Sequence, residues 1–257
     1  SDIISQVEDE VGSWMDKKMH EIETLRQLET YRRHFIGDVS HELKTPIFNI
    51  QGYLHTLLDG ALEDPNVNTT FLKKAAKNLE RLHIIVEDLE AISRLESGEL
   101  MLEIQSFDIH ALAAEVFEDL EFKAKQRNIT LEFKDGASQG FKVQADRESI
   151  RQVLTNLVSN SIKYGEENGR TRIGFYDMDG NILIEVADNG LGIPKKHLNH
   201  VFDRFYRVDK SRSRERGGSG LGLSIVKHII EAHKQTINVR STPGLGSTFG
   251  FTLKKGT

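Results

Sequence analysis

Two groups of residues in this 257-residue chain have types and spacings suited to chemistry. The first is Ser40-His41-Glu42-Leu43-Lys44-Thr45-Pro46-Ile47. Around it Ile36, Val39, Leu43, Ile47, Ile50 and Leu54 recur at intervals of three and four, the stripe of an amphipathic helix. At about 100° per residue, His41 falls on the opposite side with His34, Asp38, Thr45 and Phe48. A histidine held toward water with Glu42 beside it can take part in proton-transfer or nucleophilic chemistry. Two plainer readings stand next to this one. His41 can be an ordinary surface histidine, and Thr45-Pro46 can be the N-cap and first position of a new helix.

The second group lies in the back half. Asn156, Asn160, Lys163 and Tyr164 share one strongly periodic helix. Measured from Val153, Asn160 falls at about −20° and so inside the apolar stripe. A buried amide must be hydrogen-bonded or must bind something. An amide oxygen is a hard donor suited to Mg²⁺ when phosphates complete the shell, and Lys163 would offset phosphate charge. Asp188-Asn189-Gly190-Leu191-Gly192-Ile193-Pro194 follows a strand. There Asp188 can accept a hydrogen bond from an exocyclic amine, while Gly190 and Gly192 let the backbone approach a flat ligand. Gly217-Gly218-Ser219-Gly220-Leu221-Gly222-Leu223 opens a helix, where backbone amides suit phosphate. Each glycine cluster alone is no more than a turn, but two in order after the Asn/Lys/Tyr helix point to a nucleotide. Other nucleotide motifs fail. A P-loop needs Gly-Lys, which does not occur, and a dinucleotide fingerprint needs its glycines directly after a strand. Here they follow the charged run Arg212–Arg216, which reads as a lid.

These groups need long helices and a sheet to place them. Val11, Met15, Ile22, Leu25, Ile36, Val39 and Leu43 form a heptad-like ladder, with Lys18, Glu29 and Arg32 in its intervening slots, as in a coiled coil leading into a bundle. Asp59-Gly60 and Asp64-Pro65-Asn66 mark a turn. A second amphipathic helix carries Leu72, Ala75, Leu79, Leu82, Val86, Leu89, Ile92 and Leu95. Two such helices cannot bury both stripes, and dimerisation into a four-helix bundle would do so. After Ser97-Gly98 the pattern predicts a helix capped within 106–108 and ending near Arg127, then strands at 129–133 and 141–145. A helix over 146–164 follows, then a hairpin of 171–176 with 182–187, a helix over 221–233, and strands near 236–240 and 248–253. Irregular alternation with hairpins favours an α+β sandwich, a sheet covered by helices on one face.

Composition narrows the classes further. A net charge of −5 argues against a general nucleic-acid binder. With no cysteine, disulfides and thiolate metal sites are excluded. No run of eighteen apolar residues is present, so nothing in the sequence reads as a membrane span. The first residue is Ser1, without a signal-peptide pattern. The expectation is an excised fragment, with any membrane anchor in a part outside this sequence.

Taken together, these motifs resemble the catalytic core of sensor histidine kinases over residues 30–254. Residues 36–47 resemble the family's H box, Asn156–Tyr164 its N box and Asp188–Ile193 its first glycine box. Phe202–Arg207 resembles the F box, Gly218–Leu223 the second glycine box and Thr242–Thr248 the closing glycine motif. Ser161 and Gly165 depart from the alanine and threonine common there. The resemblance implies a signalling helix over 1–32, a dimerisation and phosphoacceptor hairpin over 33–100, and a Bergerat-type ATP-binding domain over 104–257. It implies His41 as phosphoacceptor, Glu42 as its base, Thr45 as a water-orienting group in dephosphorylation, and Asn160 on Mg²⁺ with Asn156 in support. Lys163 and Arg207 would contact phosphates, Tyr164 would line the nucleotide and Asp188 would read adenine. Gly190, Gly192, Ile193, Phe205, Tyr206, Gly218, Gly220, Leu221, Gly222, Leu223 and Thr248 would complete the ATP site, with Phe202 and Phe205 anchoring the lid. The implied partner is the receiver domain of a response regulator. Its aspartate would take the phosphate, and the same protein would also act as its phosphatase. The rival readings are another Bergerat-class ATPase and a nucleotide-binding dimeric scaffold.

Overall fold

A computed structural model of the chain describes residues 2–96, 102–134, 140–208 and 219–256. They belong to two compact units, Ser1–Leu79 and Glu80–Thr257.

In the first unit, helix α1 runs without interruption over Asp2–Thr56. Pro46 lies inside it, which replaces the reading of Thr45-Pro46 as a helix start. A proline there removes one backbone bond, yet α1 continues through it to Thr56. A π-turn, Leu57–Ala61, closes α1 around Gly60 at φ 119°. The Asp64 carboxylate then accepts from the Asn66 N–H at 2.9 Å, and helix α2 (Asn68–Glu96) begins. Near the turn the two helices are antiparallel. Asn49 Nδ2 donates to Asn78 Oδ1 at 3.2 Å, and the Tyr53 and Phe71 rings lie 5.9 Å apart. Much of the expected apolar seam is open in the single chain. Val11, Met15, Ile22, Ile36, Ile47, Leu54, Leu72 and Leu79 are all exposed.

The second unit is a seven-stranded sheet with helices. Its strands are β1 (Ile104–Asp108), β2 (Thr130–Phe133), β3 (Lys142–Asp146), β4 (Arg170–Met178), β5 (Asn181–Asp188), β6 (Ile237–Thr242) and β7 (Gly246–Lys255). The order is β1-β3-β7-β5-β4-β2, with β6 also pairing with β7. Among the described residues only the β2–β4 pair is parallel. The helices are α3 (Ile109–Lys125), α4 (Arg147–Tyr164) and α5 (Gly222–Ala232). Alternation fixes the faces. Ile173, Phe175, Ile182, Ile184, Val186, Phe249, Phe251 and Leu253 are buried with the apolar sides of the helices. The other face carries Arg172, Tyr176, Thr248 and Thr252, with Glu185 held by Lys134 at 3.2 Å and by Arg240. Asp108 caps α3 by accepting from the His110 N–H at 2.9 Å, inside the span expected for that cap. The sequence did not announce β1, nor the short 3₁₀ helix Lys195–His200.

Candidate functional site

Helix α4 is held at both ends. Its N-cap Asp146 accepts from the Ser149 and Glu103 N–H groups, both at 2.8 Å. Burial pushes this carboxyl upward, but the hydrogen bonds outweigh it and hold it below the usual range. The C-terminus ends in an extended Gly165, φ −60°, ψ 156°, so no left-handed cap closes it. Every terminal carbonyl is nonetheless used. Gly165 N–H donates to Ser161 O at 2.8 Å, and Leu191 N–H to Tyr164 O at 3.3 Å. The Arg127 guanidinium donates to Ile162 O and Lys163 O, both at 2.5 Å, and to Gly165 O at 3.2 Å. A cation at a helix C-terminus also complements the macrodipole. Arg127→Ala orphans three carbonyls and is expected to cost about 2 kcal/mol, a fall in melting temperature of about 4–8 °C for a unit of this size. Arg127→Lys should recover part of it, and an Arg127→Ala melting curve matching wild type would contradict this assignment.

The end of α4 is one wall of a cavity. Asn160, Ser161 and Tyr164 line it from α4, and Asp188, Leu191, Gly192 and Ile193 from the end of β5 and the following loop. Val201, Tyr206, Arg207 and Val208 close one side, while Leu223, Ser247 and Phe249 complete it. The lining is mostly apolar with a few converging polar groups, the usual make-up of a small-molecule site. Asp188 is oriented through one oxygen. Its Oδ1 accepts from Gly190 N–H at 2.9 Å and from Ser247 N–H at 3.2 Å. Burial raises its pKa above the ordinary carboxylate value, only partly offset by those two bonds. Ile193 N–H donates to Ser241 Oγ at 2.7 Å. Gly192 adopts φ 67°, and a Cβ there would sit 2.0 Å from Thr242 O, so only glycine fits this turn.

Of the other expected residues, Asn156, Lys163, Gly190, Phe205, Gly220, Leu221 and Gly222 do not line the cavity themselves. Asn156 lies one turn before Asn160, and its buried Nδ2 has no hydrogen-bond partner among the described residues. Its Oδ1 would be 3.3 Å from a Cβ on Gly222, the first residue of α5. Lys163 Nζ sits 4.9 Å from the centre of the Tyr164 ring. Phe205, at φ 58°, donates its N–H to Gly220 O at 3.0 Å and so ties the aromatic segment to the second glycine segment. The Tyr206 hydroxyl bonds His197 Nδ1 at 2.5 Å. Leu221 is buried, and its N–H donates to Ser219 Oγ at 3.1 Å. The Ser219 hydroxyl in turn donates to Asp88, a carboxyl raised chiefly by burial. Gly218 and the charged run 212–216 lie outside the described residues.

Thr248 is a correction. It pairs with Ala187 in the β5–β7 ladder, and strand alternation turns it away from the cavity that Ser247 and Phe249 line. Sequence reasoning also missed Ser161, although a hydroxyl within an apolar stripe was a usable signal. Leu191, Val201 and Val208 gave none beyond being apolar.

His41, Glu42 and Thr45 belong to the other unit. His41 is exposed on α1, with Glu42 and Thr45 half-buried. The Thr45 hydroxyl donates to His41 O at 3.1 Å, the back-bonding typical of a mid-helix threonine. Among the described residues no group of three or more acidic or histidine side chains could hold a metal ion. A cation at the cavity would therefore need oxygens from its ligand as well as from Asn160. Among them, too, no helix is long and apolar enough to cross a membrane.

Comparison with known proteins agrees with this geometry. Residues 31–98 match the His Kinase A phospho-acceptor domain. Residues 145–257 match the histidine kinase-, DNA gyrase B- and HSP90-like ATPase. Sensor histidine kinase WalK of Bacillus subtilis (strain 168) is 35% identical over 238 residues, which is 91% of this chain and 38% of that protein. The chain thus spans well under half of this relative. The solved structure of Acinetobacter baumannii histidine kinase AdeS superposes with a TM-score of 0.68 at 29% identity, covering 84% of this chain and 98% of that one. Histidine kinase ThkA, in complex with response regulator protein TrrA, superposes with a TM-score of 0.63 at 29% identity, covering 87% and 61%.

Proposed function

Because this chain belongs to the sensor histidine kinases, we propose that it transfers the γ-phosphoryl group of ATP to its own His41 and then to an aspartate of a response regulator. One observation carries the reading. A phosphoacceptor match that includes His41 and an ATPase match that includes Asn160 and Asp188 follow each other on one chain.

The residues divide the work. Asp188 has Oδ1 occupied by two backbone N–H groups, which leaves Oδ2 to accept from the adenine amine. Tyr164, Ile193 and Leu223 enclose the base, while Lys163, Arg207 and the first amides of α5 attract the phosphates. Asn160 fits a hard cation, and Mg²⁺ held there would offset phosphate charge. The Nδ2 of Asn156, a buried donor without an acceptor among the described residues, suits a phosphate-bearing ligand. At the other site, one nitrogen of the His41 imidazole attacks the γ-phosphorus, the bond to the β-phosphate oxygen breaks, and ADP leaves. Glu42 takes the proton from the other ring nitrogen. Most of the rate comes from positioning and charge neutralisation. The product is a phosphoramidate, a reactive donor to the aspartate of a receiver domain.

The open seam along α1 and α2 is covered by a second copy in a four-helix bundle. In domain terms, 1–32 forms the signalling helix, 33–100 the dimerisation and phosphoacceptor hairpin, and 104–257 the ATP-binding domain. The function is tested by incubating the full chain with γ-labelled Mg-ATP. Acid-labile, base-stable label on the protein is expected. Hydrolysis without protein label would instead indicate a plain ATPase, and binding without turnover a scaffold.

Thr45 carries a separate expectation. As the residue one turn from His41 it orients water for dephosphorylating the regulator. Thr45→Ala removes a hydroxyl that only back-bonds to His41 O and improves helix propensity. Autophosphorylation should stay within about twofold while phosphatase activity falls about tenfold or more. Equal loss of both activities would contradict the role.

A further inference from the structure

The cavity holds a second polar device beside Asp188. Ser161 Oγ and Thr171 Oγ1 lie 2.5 Å apart, at 4% and 0% exposure. Each hydroxyl has one hydrogen to give. In a mutual pair one hydroxyl donates to the other, and the second hydrogen must find another acceptor. Neither hydroxyl makes a further hydrogen bond among the described residues. A buried hydroxyl hydrogen without an acceptor is costly, so such a group points to a ligand or water.

Placement selects which hydroxyl is free to donate. Ser161 lines the cavity and Thr171 does not, so Thr171 donates to Ser161 and Ser161 turns its hydrogen toward the cavity. Thr171 is the direct cross-strand partner of Asp188 in the β4–β5 ladder, and such partners have Cβ atoms about 5 Å apart on one face. An acceptor, Asp188 Oδ2, and a donor, the Ser161 hydroxyl, thus both line the cavity and are linked through Thr171. Adenine presents the complementary pair, an exocyclic amine that donates and the adjacent ring nitrogen N1 that accepts. Guanine presents the reverse, an oxygen where adenine has the amine and N1–H where adenine has a lone pair.

We propose that Ser161, oriented by Thr171, donates to the ring nitrogen N1 of adenine and together with Asp188 selects adenine over guanine nucleotides. The inference rests on the reading of the cavity as an ATP site. The test is an equilibrium titration of the full chain with Mg-ATP, Mg-GTP and Mg-1-deaza-ATP, in which the amine is kept and N1 is replaced by C–H. Wild type should prefer ATP to 1-deaza-ATP by about tenfold, and Ser161→Ala should bind the two within about twofold of each other. Thr171→Val keeps the Ser161 hydroxyl but loses its orientation, and should fall between. The Ser161→Ala/Thr171→Val double variant leaves no hydroxyl orphaned and should melt near wild type while still ignoring N1. If Ser161→Ala keeps the wild-type preference, or wild type binds ATP without distinguishing 1-deaza-ATP, the inference is overturned and the ATP site stands. A wild-type chain that binds no ATP overturns both.

Discussion

His41→Gln should bind Mg-ATP with wild-type affinity and take up no phosphate. The side chain is exposed on α1, and every residue lining the cavity lies in the Glu80–Thr257 unit. The substitution therefore removes no nucleotide contact. Glutamine is a good helix former, so α1 keeps its backbone bonds and the hairpin its packing. What is lost is the ring lone pair, and the amide nitrogen of glutamine, delocalised into its carbonyl, cannot replace it. Removing the nucleophile should lower phosphorylation by more than about a thousandfold, while nucleotide binding and melting temperature stay unchanged. Label incorporation and a fluorescent-nucleotide titration on the same preparation separate the two effects. A variant that keeps its label at a tenth of the wild-type rate or more sinks the assignment of His41.

Asp188→Asn should fold normally and lose the nucleotide. The asparagine oxygen can keep both bonds that Asp188 Oδ1 accepts, from Gly190 N–H and Ser247 N–H. The atom facing the ligand then changes from an acceptor oxygen to a donor nitrogen. Set against the adenine amine, also a donor, this leaves two buried donors opposed. The expected loss is about 3 kcal/mol, or about a hundredfold in affinity. Stability should move the other way. Burial raises the Asp188 pKa in the folded chain, so the folded state binds the proton more tightly than the unfolded one. Its contribution is therefore fully present below the unfolded carboxylate pKa and is lost as pH rises through the folded value. At pH 7 the ionised carboxylate is a net cost, and the neutral amide should melt at or above wild type. A variant that is less stable and binds ATP as well as wild type would refute both halves of this argument.

These residues differ in how far their sequence disclosed them. Helix α4 was legible from end to end because a long apolar period meets a strong N-cap, Asp146, at one end and the break at Gly165 at the other. The β4–β5 hairpin was legible because both strands alternate around Asp179-Gly180, with Asp179 at φ 57°. Strand β1 was hidden because it pairs only with β3 and exposes nearly every residue. It shows no alternation, and only its last residue, the cap Asp108, left a sign. Thr248 and Ser247 were exchanged because the parity of β7 is set by its ladder with β5, which no local pattern reveals. Arg127 had no signal at all. It reads as a surface arginine in a turn, and its three carbonyl partners are 35–38 residues away in sequence. Local chemistry thus announced most of the polar groups that line the cavity, while the groups that hold them in place depended on tertiary pairing.

The roles proposed here, adenine reading by Asp188 and Ser161, charge neutralisation by Lys163 and Arg207, and nucleophilic attack by the exposed His41, converge on one product. The most direct measurement is to react the full chain with Mg-ATP, keep it at neutral to basic pH, and locate the phosphate by peptide mass spectrometry. The expected result is a single phosphorylated peptide bearing a phosphoramidate on the His41 imidazole, lost on acid treatment. Phosphate on any other residue, or ATP consumed with His41 unmodified, would contradict it.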